Sequence, residues 1–380
     1  MAKRTVTSRH VAQLAGVSQT TVSFVLNDVE AGNISAATRQ RVLEAARQLG
    51  YVPDAAARSL ARGRSSNIGL ILVKPHAQVF IDDFVPNIIS GLSLVTQQRG
   101  FRILVELAGG AERPDPYTDL IKGKEVAGMI VMLDDFNAED VQVMRALAQE
   151  GFPLVSLRHL GPDIYSVSED HLDGVRQAVA HLAGLGHQRI ACITFAPATN
   201  PTVRERLAVY RETLESLGIP YDPAMIRFGV FDPETGYEAM QSLLQAGTPP
   251  TALFAMNDVM AFGAMTAIHE SGLRIPDDIA IASYNDWRLA RFTTPPLTSV
   301  RAPDIEQGRR AGEMLMDLIE GRPPATPQVR LPTTLIVRES CGAHLRREPL
   351  RRTPRGSRAP VRRRRSAPDA AEGRDVPQRD

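Results

Sequence analysis

The 380-residue sequence predicts a compound fold: an all-α N-terminal head of helix-turn-helix type, an α/β body built on parallel strands, and a disordered arginine-rich tail. Three observations predict it. Residues 12–27, AQLAGVSQTTVSFVLN, place the small Ala12 four positions before Gly16, which tolerates the positive φ of a tight turn, and set Ser18 as a cap. After Asn67, short apolar runs alternate with helical stretches, the pattern of parallel α/β layers. Residues 343–380 hold twelve arginines and almost no apolar side chains, so they cannot bury a core.

Taken in order, the first element ends at Gly16, and a second short helix follows whose Val22, Val25 and Leu26 share one face. Gln19, Thr20 and Phe24 then lie opposite that face. Ser35 caps a further helix with Val42, Leu43, Ala46 and Leu49 at helical spacing, and Gly50 stops it. Tyr51-Val52-Pro53 reads as an extended link, after which Asp54 caps the short helix AAARSLAR. Strand candidates follow at 68–73, 101–107, 127–133, 153–157, 189–195, 252–256, 279–284 and 333–337. The expected organisation is 1–52 head, 53–66 hinge helix and linker, 67–340 body and 341–380 basic tail.

Composition narrows the function. The chain is 43% hydrophobic and has no apolar run of the ~18 residues that a membrane span needs. MAKRTVTSRH is basic but has no apolar stretch behind it, so it does not read as a secretory signal, and a cytoplasmic protein is expected. Two cysteines, Cys192 and Cys341, make no disulfide framework. The net charge of +1 conceals +5 over residues 1–64, −11 in the middle and +7 over 343–380. A basic head on an acidic body suits a polyanionic partner at one end. No CxxC or HxxxH supports a metal, and no P-loop or G-x-S-x-G appears, so neither metal nor cofactor nor enzymatic role is expected.

The run from Thr5 to Gly69 resembles the headpiece and hinge of the lactose-repressor (LacI/GalR) family in four ordered blocks: VAQLAGVSQTTVSFVLN, ISAATRQRV, LGYVPDAAARSLA and NIGLI. Residues 67–340 resemble that family's effector domain, which is similar to periplasmic sugar-binding proteins and has two parallel-sheet subdomains. That fold implies three chain crossings between subdomains, expected near 160–167, 288–296 and 323–330. The resemblance implies that Gln19, Thr20 and Phe24 face the major groove of DNA. Thr7, Ser18, Thr21, Ser23 and Asn27 are short polar groups suited to phosphates and caps, and Tyr51 joins this DNA-binding set. Many relatives carry Arg at the position of Phe24, and their first helix often has Asp where His10 stands here. Leu60 of the hinge helix, with the small Ala57 beside it, matches the family's minor-groove wedge.

For the effector, the resemblance points to Arg206, opening RLAVY, and to Asp258, in MNDVMAFGAM, as cleft residues that bind ligand oxygens. Phe84 takes the place of a stacking aromatic. Asp170 is either a cleft residue or a helix cap, and Asp286 and Trp287 follow a strand at its carboxyl end, close to the cleft. The expected protein is a homodimeric repressor, because the tail lacks the leucine heptad helix of tetrameric members. Its partners are a near-palindromic double-stranded operator and a small-molecule effector, a sugar or sugar derivative. The alternatives are a sugar-binding protein without DNA function, a transcriptional activator of the same fold, or a glycoside hydrolase using the cleft.

Overall fold

The computed structural model of the chain describes residues 6–27, 34–52, 65–73, 79, 81–108, 117–133 and 138–346. The head comprises α1 (Ser8–Ala15), α2 (Gln19–Leu26) and α3 (Ala36–Leu49). Gly16 ends α1 at φ 66°, where a side chain would be strained. The Ser18 hydroxyl accepts from the Thr21 amide at 3.0 Å, and Ser35 caps α3 through the Thr38 amide at 3.2 Å. At α1 the Thr7 amide donates to His10 Nδ1 at 3.1 Å, so the residue that departs from the family pattern supplies the return half of a capping box. Val11, Val22, Val25 and Val42 fill the head core together with four alanines. Leu43, expected on the apolar face of α3, is instead 45% exposed; Ala45 takes the inward position.

The body contains two six-stranded sheets. The first holds β1 (Asn67–Val73), β2 (Arg102–Leu107), β3 (Met129–Leu133), β4 (Leu154–Ser156), β5 (Ser166–Glu169) and β11 (Gln328–Leu331), in the order β11-β5-β4-β3-β1-β2. The second holds β6 (Ile190–Thr194), β7 (Ile226–Phe228), β8 (Ala252–Ala255), β9 (Ala280–Asn285), β10 (Thr298–Arg301) and β12 (Thr334–Ile336), ordered β12-β10-β9-β8-β6-β7. Pairing is parallel throughout except between β10 and β12. The helices are α4 (Phe84–Thr96), α5 (Thr118–Lys122), α6 (Ala138–Gln149), α7 (His171–Gly184), α8 (Pro201–Ser216), α9 (Pro233–Leu244), α10 (Asp258–Glu270) and α11 (Asp304–Ile319). Each sheet carries a separate apolar cluster on either face, as a doubly covered parallel sheet requires.

The chain passes to the second sheet after β5, returns after β10 and passes over again after β11. All three crossings therefore fall later than the expected 160–167, 288–296 and 323–330. The reason lies in SVSE, TSVR and QVRL, the sequences of β5, β10 and β11. They are short and half polar, with no apolar run to mark a strand. The eight expected strands are all present, displaced by no more than two residues at their ends.

Glycines set two helix crossings. A Cβ on Gly91 of α4 would lie 1.9 Å from the Ile305 carbonyl oxygen of α11, and one on Gly263 of α10 would lie 1.8 Å from the Pro233 oxygen of α9. Backbone this close leaves no room for a methyl group. Gly263→Ala is expected to cost about 1–3 kcal/mol through forced backbone shifts. Urea unfolding reads it as a lower midpoint; an unchanged midpoint would mean that the α9–α10 crossing separates freely.

Candidate functional site

In the head, Gln19 and Thr20 are exposed on the first turn of α2, opposite the buried Val22 and Val25. Thr7 and Ser18 are exposed; Thr21, Ser23 and Phe24 are half-buried. Asn27 departs from the expectation of an available polar group. It is only 7% exposed, and its amide donates to Ser23 Oγ at 3.1 Å, because the last turn of α2 folds it against the head. Tyr51 is partly buried against the head core. Ala57 and Leu60, on which the wedge expectation rests, lie outside the described residues.

The second feature is a cavity of about 250 Å³ between the carboxyl ends of the two sheets. This is where an open α/β architecture places ligands. Phe84, Asp170 and Arg206 line it, as expected. Arg206, on α8, is 5% exposed. Its guanidinium donates to the Met256 carbonyl at 2.9 Å and to Glu169 Oε1 at 3.2 Å, and it lies 4.0 Å from the centre of the Tyr284 ring. Tyr284 in turn donates its hydroxyl to Glu169 Oε2 at 3.1 Å. Glu169 belongs to the first sheet and Arg206 to the second lobe, so this buried pair ties the lobes together at the cavity. Phe84, Phe195 and Phe231 supply aromatic surface in the wall. Asp170 also caps α7, accepting from the Asp173 amide at 3.2 Å; both of its expected roles are met by one geometry. Arg158 reaches across the lobes to the Thr202 hydroxyl. Burial lowers the His171 pKa, so at neutral pH the ring is uncharged and faces Glu205 at 3.4 Å through Nε2.

Asp258, Asp286 and Trp287 do not line the cavity. The carboxylate of Asp258 is fully buried below its floor, where Oδ1 accepts from the Ser283 hydroxyl and, at 2.7 Å, from the Ser299 hydroxyl. Oδ2 accepts from the Trp287 amide at 2.7 Å. Burial pushes this carboxyl up to about 7, against the three donors, which favour the anion. Asp286 turns to the rear, where Arg338 reaches it at 2.5 Å and Arg301 at 2.7 Å. Trp287 is 6% exposed and packs at 6.2 Å from the Phe262 ring. Each aspartate has instead an asparagine before it in the wall: Asn257 and Asn285. Helix α10 begins at Asp258, which swings that side chain under the floor. At the end of β9 a pair of left-handed residues, Asn285 at φ 104° and Asp286 at φ 54°, reverses the chain. Sequence reading singled out the charged member of each Asn-Asp pair; only the local backbone shows that the neutral member faces inward. Glu169 was also missed, since its strand SVSE carries no apolar signature.

A head with an exposed recognition helix, joined to a two-lobed body that encloses a polar and aromatic cavity, defines a ligand-regulated DNA-binding protein. Comparisons agree with the geometry. Residues 7–54 match the family model described as bacterial regulatory proteins, lacI family, and residues 179–341 match a periplasmic binding protein-like domain. The HTH-type transcriptional regulator CelR of Thermobifida fusca is 33% identical over 342 residues, covering 89% of this chain and 99% of the relative. The structure of a transcriptional regulator CelR-cellobiose complex superposes with TM-score 0.65 at 31% identity, covering 88% of this chain and 100% of that one. The lac repressor dimer bound to operator and the anti-inducer ONPF gives TM-score 0.75 at 29% identity, covering 89% and 99%. The chain belongs to the LacI family of transcriptional regulators. It is a DNA-binding regulator with a periplasmic-binding-protein-like effector body, and its relatives are regulators rather than enzymes. No helix among the described residues is long and apolar enough to cross a membrane.

Proposed function

We propose that this chain is a homodimeric cytoplasmic repressor whose affinity for a near-palindromic operator is set by a sugar or sugar derivative in the inter-lobe cavity. It carries no catalytic role and needs neither metal nor cofactor. The observation that carries the reading is the Arg206–Glu169 pair. A buried ion pair shared by two lobes and flanked by aromatic rings is suited to grip hydroxyls and to couple ligand binding to lobe closure. The cellobiose complex of CelR and the operator-bound lac repressor dimer support a carbohydrate effector and two-fold assembly. Residues 1–52 would bind DNA, 53–66 would form the hinge, and 67–340 would sense the ligand; the basic tail expected from 341 begins later, since Cys341 and Ala343 pack into the core of the second lobe. Two heads would read half-sites related by the dimer axis, with Ala57 and Leu60 at the centre of the operator. Cavity occupancy would alter the spacing of the hinges, with a coupling of about 1–3 kcal/mol.

The test is fluorescence anisotropy of the full chain on labelled DNA from upstream of its own gene, with and without a panel of sugars. A specific complex whose affinity changes by about 5-fold or more with one sugar is expected. A monomer with no preference over random duplex would end the proposal. Gln19→Ala is expected to cost about 1–3 kcal/mol of discrimination at one base pair of each half-site. The same titration on base-substituted operators reads it, and equal loss on all sequences would reassign Gln19 to phosphate contact.

A further inference from the structure

The carboxylates in the cavity wall are engaged, while one of its cations is not. Glu169 is held by Arg206 and Tyr284. Glu205 faces His171, Asp170 caps α7, and Asp82 accepts the Phe84 amide at 3.0 Å. Arg330 also lines the cavity, exposed at its rim on β11, and among the described residues its guanidinium has neither an ion pair nor a hydrogen bond. Its register partner on β5 is Ser168, whose hydroxyl is likewise without a partner. His159, just beyond β4 and likewise exposed, is a third lining side chain with none among the described residues. Strands β11, β5 and β4 are neighbours in the sheet, so a guanidinium, a hydroxyl and an imidazole sit along one rim.

Deeper in the same cavity, Arg206 and Asn257, 5% and 1% exposed, each keep a buried nitrogen donor, Nε and Nδ2, that finds no partner. The unmet acceptors at the cavity residues, Gln307 Oε1 and His171 Nδ1, are both neutral. A neutral sugar hydroxyl both donates and accepts, and so gains only an ordinary hydrogen bond from a guanidinium. A carboxylate only accepts, and its two oxygens match the planar guanidinium fork. The volume of about 250 Å³ lies at the small end for ligand sites, which suits one ring rather than two.

The geometry points to an effector that is a single-ring sugar acid, with its carboxylate on Arg330, Ser168 and His159. This rests on the carbohydrate reading above. The test is calorimetric titration of the full chain with matched pairs, D-glucuronate against D-glucose and D-galacturonate against D-galactose, and with D-glucose 6-phosphate. In at least one pair the acid is expected to bind about tenfold or more tightly than its neutral partner, the worth of one charge-assisted contact. Arg330→Gln should erase that preference, and Arg330→Lys should retain part of it. Equal or tighter binding of both neutral members overturns this inference alone, as does a preference that survives in Arg330→Gln. Tighter binding of the phosphate, lost in Arg330→Gln, replaces the carboxylate by a phosphoryl group and overturns the sugar acid. Silence across all five compounds overturns the inference together with the carbohydrate reading.

Discussion

Asp258→Ala unfolds the second lobe at markedly lower temperature than the parent chain. The carboxylate is fully buried and accepts from Ser283 on β9, Ser299 on β10 and the Trp287 amide. Removing it strands three donors out of reach of water. Each stranded donor costs about 1–3 kcal/mol before relaxation, and a total of about 3 kcal/mol is expected. Differential scanning calorimetry of the full chain measures it; an unchanged transition would mean that water enters and satisfies the donors. A second outcome concerns pH. The folded carboxyl titrates at about 7 against an ordinary value of 3.8, so between those values the folded state holds a proton that the unfolded chain has released. The stability that Asp258 contributes is complete below the ordinary value and is lost as pH rises through about 7. Asp258→Asn should flatten that slope between pH 4 and 7. If the variant and the parent keep the same slope, Asp258 is not the group responsible.

Arg206→Ala is expected to abolish the effector response and leave operator binding in place. The guanidinium joins the lobes through Glu169, holds the Met256 carbonyl and stacks on Tyr284. Removal takes away a forked donor from the cavity and leaves Glu169 beside Asp304, a buried carboxyl that desolvation and Glu169 already push well above its ordinary value. Effector affinity should fall by about a hundredfold, the worth of one or two charge-assisted bonds. Operator affinity without effector should stay within a few-fold, since the head lies in a separate core. Arg206→Lys keeps the charge but loses the fork, and should fall between the two. The readout is the effector-dependent change in operator affinity by anisotropy. A variant with the parent's response would place the effector elsewhere.

Much of this was legible because local chemistry dictated it. Gly16, Ser18 and the Val22/Val25 face specify the turn, the cap and the packed side of α2 without help from distant residues. The apolar runs of β1, β3, β6 and β8 are buried on both faces and announce themselves. The site was half legible. Arg206 and Phe84 sit on helices whose inward face is fixed by helical spacing, and both reach the cavity. Asp258 and Asp286 sit where a strand hands over to a turn, and there a shift of one residue exchanges the cavity for the interior. Charge drew attention to the aspartates, while two left-handed residues and a helix start turned the asparagines inward.

What the sequence alone determined was the kind of protein: a DNA-reading head, an α/β sensor with a cleft, and the arginine that would serve it. Those features repeat a short-range pattern of size, polarity and turn chemistry, which survives reading in one dimension. Only the tertiary structure decided which side chains meet. Glu169 finds Arg206 across the two lobes, and Arg330 comes beside Ser168 through the hydrogen-bond register between strands far apart in the chain. Such pairings depend on how the sheets assemble, and no local stretch encodes them.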